Sequence, residues 1–445
     1  MSHYPHLSGA ALRREFADWR LWWGRGVVVA MAVLAGLTVV GFTSLCEFAA
    51  GLFGKLYPAH WWLPLLVSPA VAAGVVWLTR RVAPGAAGSG IPQVMASLEP
   101  EARSGVRGLF VSLRLTVAKI VLTAGGLLGG LSLGREGPSV QIAAGVMLQA
   151  RRFMPPGGAV NAHGLLVAGG AAGIAAAFNT PLAGVMFAIE ELARSPERRS
   201  SGLLIAAIVL AGLIAVSAHG NSTYFGVIHA QQVGLALLAP GLLVTVLAGL
   251  AGGGFSRLLV ASMSGQGKDI FTRLRNSRPV VFAAVCGLLV ATIGIVTAGA
   301  TFGSGYASTR RMVEGAGAMP FAYALFKFCA TWITSWSGVP AGIFAPSLAI
   351  GAAIGNDVAL LTSHAQVPAL IALGMVGFLA AATQAPLTAF IIVMEMVDGH
   401  AMVLSLMACA LVARVVARTV SPPLYPTLAR FQLARIPPKE EPGAK

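Results

Sequence analysis

The sequence predicts an all-α polytopic membrane protein built from two related halves with interrupted helices, and three observations predict it. Apolar stretches near the twenty residues needed to cross a bilayer core recur at 26–53, 61–79, 110–133, 163–178, 201–218, 233–261, 280–300, 321–337, 367–382 and 401–417. Charge is scarce: Asp, Glu, Lys and Arg make up 11% of the 445 residues, against about 25% in soluble domains, and the mean hydropathy is +0.77. The third observation is a repeat. PSVQIAAGVM (138–147) resembles PSLAIGAAIG (346–355), and FNTPLAGVMFAIEE (178–191) resembles TQAPLTAFIIVMEM (383–396).

Taken in order, residues 1–22 read as a helix lying on the membrane surface, with Arg13, Arg14 and Arg20 toward the head groups; a disordered tail is the alternative. They lack the short apolar core and small-residue cleavage site of a signal peptide. The first transmembrane repeat is expected over 23–220 and the second over 221–420, with a C-terminal helix and short tail over 421–445. Spacing supports the duplication: Pro138 to Pro181 is 43 residues, Pro346 to Pro386 is 40, and a glutamate (Glu190, Glu395) follows the second proline by nine in each half. The 54 glycines suit close helix packing in lipid. Duplicated halves with broken segments are the usual build of a transporter, with its site between the repeats.

The net charge of +15 could suggest nucleic acid, but the positions exclude it. Arg80 and Arg81, Lys268, Arg273, Arg275 and Arg278, and Arg414, Arg418, Arg430 and Arg435 all flank span ends. That distribution fits the positive-inside rule and anionic lipid, and places both termini in the cytoplasm. Cys46, Cys286, Cys329 and Cys409 stand singly in apolar spans and read as small core residues. No metal or cofactor motif is present, and isolated His163 reads as structural.

The interruptions share one design. GSGIP (88–92), GREGP (134–138) and GIFAP (342–346) each place glycine shortly before proline beside an apolar run. Glycine permits a sharp turn with uncovered amides, and proline suits the first helical turn, where its missing N–H costs nothing. Each motif reads as the start of a helix within the membrane, carrying unpaired N–H donors and about half a positive charge. Three converging starts make an anion site with no full charge in it, on irregular backbone tolerated only around a cavity or within protein. The alternative is three ordinary interhelical turns.

These motifs, in this order, with a tyrosine in PPLYPTLAR (422–430), closely resemble those of the CLC family of chloride channels and proton-coupled chloride transporters. The resemblance covers essentially the whole membrane chain. It implies a homodimer of two-repeat subunits, each with its own anion pathway, in a plasma (inner) membrane and without a cofactor. It implies that Ser89 and Tyr425 donate hydroxyls to chloride and that the amides of Ile343 and Phe344 complete the site. Glu136 is similar to the family's gating glutamate and Glu191 to its inner proton-transfer glutamate. Gly88, Gly90, Ile91, Pro92, Gly134, Gly137 and Pro138 shape the loops.

Chemistry supports these roles separately. Hydroxyl and phenol are neutral donors, able to bind chloride and still release it. A carboxylate in the membrane is costly when charged and unpaired, so Glu136 competes with the anion when ionised and frees its amides when protonated. Glu190 and Glu191 point about 100° apart if the segment is α-helical. Glu190 has a counterpart in the second repeat and reads as structural; Glu191 matches Met396 and reads as functional. Lys119 either raises the anion potential or pairs with a buried carboxylate. Arg135 reads as an anchor of the turn. Gln93 and Ala341 depart from residues common in relatives, Glu and Gly respectively. No segment resembles the nucleotide-binding cytoplasmic domains of many eukaryotic relatives, so regulation through them is not expected.

The leading expectation is chloride/proton antiport. A passive voltage- or pH-gated chloride channel of the same fold is the alternative, from which Glu191 separates it. An intramembrane enzyme using Glu136 or Glu191 finds no support: there is no GxSxG, no HExxH and no Asp pair in the spans. Among other anions, nitrate ranks ahead of fluoride.

Overall fold

The structure, a computed structural model, describes residues 19–99, 104–155, 160–193, 201–220, 223–228, 235–317, 319–362 and 366–434. It is helical throughout, and its short helices are where the sequence is interrupted. Helix α1 (Trp19–Ala59) descends and α2 (Pro64–Val82) returns. The GSGIP loop starts α3 (Ile91–Leu98), followed by α4 (Ser104–Phe110) and α5 (Leu113–Leu128). GREGP starts α6 (Glu136–Met147), and α7 (Ala162–Phe178), α8 (Pro181–Phe187) and α9 (Ser201–His219) complete the first repeat. The second repeat runs through α10 (Leu238–Ser264), α11 (Ile270–Ser277), α12 (Pro279–Val296), α13 (Tyr306–Val313) and α14 (Ala322–Trp336). It continues with α15 (Phe344–Leu361), which GIFAP starts, then α16 (Val367–Thr383), α17 (Pro386–Met396) and α18 (Val403–Arg418), and the C-terminal helix α19 (Leu424–Ala434) follows.

All ten apolar stretches contain a helix, and among the described residues eight helical segments are long and apolar enough to cross a membrane. The surface helix expected over 1–22 lies almost wholly outside the described residues; Trp19 to Trp22 already belong to 41-residue α1. Lipid-type surface is plain on the outer helices: Leu37 and Phe48 on α1 and Leu66 and Trp77 on α2 are exposed. Helices α6, α7, α15 and α16 have almost no exposed face. Helix α6 has twelve residues, about 18 Å at 1.5 Å per residue and too short to cross a core of about 30 Å.

Close backbone approach explains some of the glycines. A methyl at Gly374 on α16 would overlap the Gly351 carbonyl on α15, and one at Gly169 on α7 would lie 2.8 Å from Ala144 Cα on α6. The repeat extends to rare backbone geometry. Asn179 and Gln384 end α7 and α16 with φ of 60° and 63°, each two residues before the proline that starts the next helix. Pro181 and Pro386 then fix the first turns of α8 and α17.

Candidate functional site

The three motifs converge on one buried point. Gly134 N–H donates to Gly342 O at 2.7 Å and Gly342 N–H donates back to Gly134 O at 3.0 Å. GREGP and GIFAP are therefore clasped backbone to backbone, an antiparallel bridge between the repeats. GSGIP joins them through the Ala341 amide, which reaches Gly88 O at 3.3 Å. Side chains would prevent this approach: a methyl at Gly342 would lie 2.6 Å from Gly134 O.

Helix starts α6 and α15 face each other across the clasp, and the Glu136 carboxylate lies between them. It is fully buried. Its Oε2 accepts from Ala345 N–H at 3.4 Å, and Oε1 has no hydrogen-bond partner. The side chain folds back over Gly134, where a methyl would overlap Oε2. Glu136 therefore sits on the Ala345 amide in the first turn of α15, one of the donors that helix geometry leaves unpaired. Ile343, the N-cap, and Phe344 supply the neighbouring amides.

Ser89 and Tyr425 meet on the other side of the clasp. Their hydroxyls lie side by side, close enough to interact but outside hydrogen-bond geometry, and neither has another partner. Tyr425 is fully buried and stacks on Phe344, with centroids 6.1 Å apart and planes at 12°. Two orphaned buried hydroxyls, expensive unless something accepts from them, are what an anion requires. A narrow cavity of about 70 Å³ leads to them, lined by Gly88, Ser89, Ile343, Tyr425 and Arg275 among others. A methyl on Gly137 would overlap Ser89 Oγ.

Glu191 does not join this cluster directly. It lines a separate 600 Å³ cavity with Glu190, Arg414 and Arg418. The Tyr425 hydroxyl is within electrostatic range of Glu191 and, more weakly, of Glu136. The helix expected at Glu190 and Glu191 is a correction: α8 ends at Phe187 and Ala188–Ala193 is a π-helix. Its wider turn separates the two glutamates by less than the α-helical angle, the type of irregularity often found at functional positions.

Of the two roles expected for Lys119, pairing with a buried carboxylate is not found: its Nζ donates to Ala86 O at 2.8 Å and Gly88 O at 2.6 Å, holding the GSGIP loop from behind. Gln93 supports the same loop, accepting from the Gly90 amide at 3.0 Å and donating to Ala87 O. Arg135 anchors the GREGP turn: its guanidinium donates to Thr43 O at 3.2 Å, Glu47 Oε1 at 2.8 Å and Tyr224 Oη at 3.1 Å. Sequence reasoning passed over Glu47 and Tyr224, because nothing local marks residues 88 and 89 positions from the arginine they hold. It also passed over Lys327, fully buried and donating to Ser132 Oγ, Thr301 O and Gly303 O. A signal existed, since Lys119 precedes Glu136, and Lys327 precedes Phe344, by 17 residues.

Two open cavities lie on the side of Glu47. One, of 570 Å³, is lined by Glu47, Phe53, Tyr57, Arg135 and Gly303 to Tyr306. The other, of 210 Å³, shares Glu47, Arg135, Tyr224 and Tyr306. Among the described residues no cluster could hold a metal ion.

Comparisons with known proteins point to one family. The family model described as voltage gated chloride channel matches residues 70–418. An H(+)/Cl(-) exchange transporter ClcA of Cronobacter sakazakii is 30% identical over 423 residues, covering 91% of this chain and 88% of that one. The protein of the same name from Klebsiella pneumoniae strain 342 is 31% identical over 433 residues, with 91% and 88% covered. A slow cyanobacterial Cl−/H+ antiporter superposes with a TM-score of 0.76 at 27% identity, over 94% of this chain and 98% of that one. A CLC-type fluoride/proton antiporter matches in fold, with a TM-score of 0.76 at 21% identity, over 93% and 99%.

Proposed function

The chain belongs to the voltage gated chloride channel family, and from that premise we propose that it exchanges chloride for protons across a membrane. One observation carries the reading: the Glu136 carboxylate rests on an α15 amide while one of its oxygens and the hydroxyls of Ser89 and Tyr425 have no partner. The ionised carboxylate and chloride compete for the same helix-start donors. Protonation weakens the carboxylate as an acceptor and releases those donors to the anion. Chloride binding therefore favours the protonated, displaced side chain, and each ion's movement depends on the other.

Glu191 gives the proton a second station, at the cavity shared with Arg414 and Arg418. Arg80, Arg114 and Arg275 surround the neighbouring cavity, so the positive-inside rule assigns this face to the cytoplasm and the Glu47 face to the exterior. Both termini then lie inside, in a plasma (inner) membrane.

The chain acts as a homodimer with one pathway per subunit. Leu182 and Leu387 are exposed where their amides meet carboxylates of the opposite repeat. Ile189 and Leu404 extend this apolar face. Amide–carboxylate contacts at membrane depth need protein cover rather than lipid, and a second copy of the same face supplies it.

The test is a proteoliposome experiment in which an imposed chloride gradient must drive protons uphill. Chloride flux with no accompanying proton movement would overturn exchange and establish a passive channel.

A further inference from the structure

The second repeat carries a copy of the loop that holds Ser89. GSGIP (88–92) is matched by GSGYA (303–307), and the fold treats both alike. Each leads at once into an eight-residue helix, α3 or α13, whose N-cap glycine has left-handed φ: 106° at Gly90 and 86° at Gly305. Gly88 and Gly303 are left-handed too, at 76° and 65°. A buried lysine grips each loop at the same two carbonyls. Lys119 takes Gly88 O and Ala86 O at 2.6 and 2.8 Å; Lys327 takes Gly303 O and Thr301 O at 2.7 and 2.9 Å. The C=O and N–H of a trans peptide point oppositely, so a cation on the Gly303 carbonyl turns the Ser304 amide away from itself.

The copy opens on the other face of the molecule. Gly303, Ser304 and Gly305 line the 570 Å³ cavity together with Arg135 and Arg311. Arg135 is 8% exposed and its buried Nε has no hydrogen-bond partner. Glu47, which lines the same cavity, neutralises one guanidinium; Arg311, also in the lining, leaves the balance positive. Ser304 Oγ accepts from the Tyr306 amide at 3.4 Å, which leaves its hydrogen free to donate. A buried tyrosine stands behind this loop as Tyr425 stands at the other: the Tyr323 hydroxyl lies 3.4 Å from the side-chain position of Gly305 and makes no hydrogen bond of normal geometry.

We propose that GSGYA is a second chloride seat, the symmetry-related twin of GSGIP on the Glu47 face, where Ser304 and the first turn of α13 hold the anion before it reaches Glu136. It rests on reading GSGIP as a chloride site. Lys327 is its positioning residue, holding the loop without touching the ion.

The test is anomalous diffraction from crystals of the full chain grown in bromide, for the unmodified protein and Ser304→Ala. Bromide beside both Ser89 and Ser304, with only the second lost in Ser304→Ala, is the expected result. Bromide at Ser89 and none at Ser304 overturns the second seat and leaves the exchange reading intact; bromide at neither removes both. In proteoliposomes Ser304→Ala should raise half-saturating chloride about fivefold, the worth of one hydrogen bond, with the maximal rate retained. Lys327→Met should do the same and Lys327→Arg restore it. A lost bromide peak with unchanged half-saturation means an adventitious ion only and overturns the proposal.

Discussion

Glu190 and Glu395 cap each other's repeat. Glu190 accepts from Leu387 and Thr388 N–H at 3.1 and 2.7 Å, at the start of α17; Glu395 accepts from Leu182 and Ala183 N–H at 3.2 and 2.7 Å, at the start of α8. The exchange is reciprocal down to which oxygen takes which amide. Helices of seven and eleven residues cannot sustain themselves by propensity, so each depends on the charge the other half supplies. Glu190→Ala and Glu395→Ala should each lower stability by about 1–2 kcal/mol, as loss of a helix cap does. Thermal unfolding in detergent measures the loss, and size-exclusion with light scattering should find the proposed dimer weakened in both.

Coupling is the sharper test of the two acidic stations. Glu136→Ala removes the tethered rival and should leave chloride flowing with no proton movement. Glu191→Gln should also stop protons while chloride persists, because only its station on the Arg414 side is lost. Paired chloride-electrode and pH recordings on the same vesicles check both; proton pumping surviving in either variant would remove that residue from the proton route.

Lys119→Met leaves the Ala86 and Gly88 carbonyls without their buried donor. Leaving a buried hydrogen-bonding group without its partner costs about 1–3 kcal/mol, and the affected loop carries Ser89. Chloride affinity, measured by calorimetry, should therefore fall by about tenfold or more.

Gly137→Ala places a methyl on Ser89 Oγ and 2.9 Å from Ser89 O. The serine must move, at the roughly 1–3 kcal/mol typical of overpacking. The expected outcome is a folded protein with weakened chloride binding, read by calorimetry beside an unfolding scan.

The spans and the helix starts at GSGIP, GREGP and GIFAP were legible because lipid imposes length and hydropathy on them and because glycine before proline has few other uses. Glu190 was legible as structural from its repeat partner, though not the reciprocity. What escaped are contacts made at a distance. The Glu47 hold on Arg135 and the clasp of Gly134 on Gly342 join residues 88 and 208 positions apart, and no local pattern encodes a partner so far away. Of the two roles open to Lys119, the carboxylate pairing gives way to two carbonyls that lie 33 and 31 positions back. The π-helical turn under Glu191 leaves no mark in AIEELA, whose residues all accept an α-helix.

The Gly134–Gly342 clasp has a consequence for motion. A carrier that works by rocking its halves must part them at the substrate, and here the halves are tied by two main-chain hydrogen bonds at that spot. Hinged opening would break the very backbone that forms the binding site. On the exchange proposed above, turnover takes place inside a rigid frame, through a swing of the Glu136 carboxylate and modest loop shifts. Such a machine has no wide gate on either side to hold shut, and its fidelity depends on a side chain arriving before the next ion does.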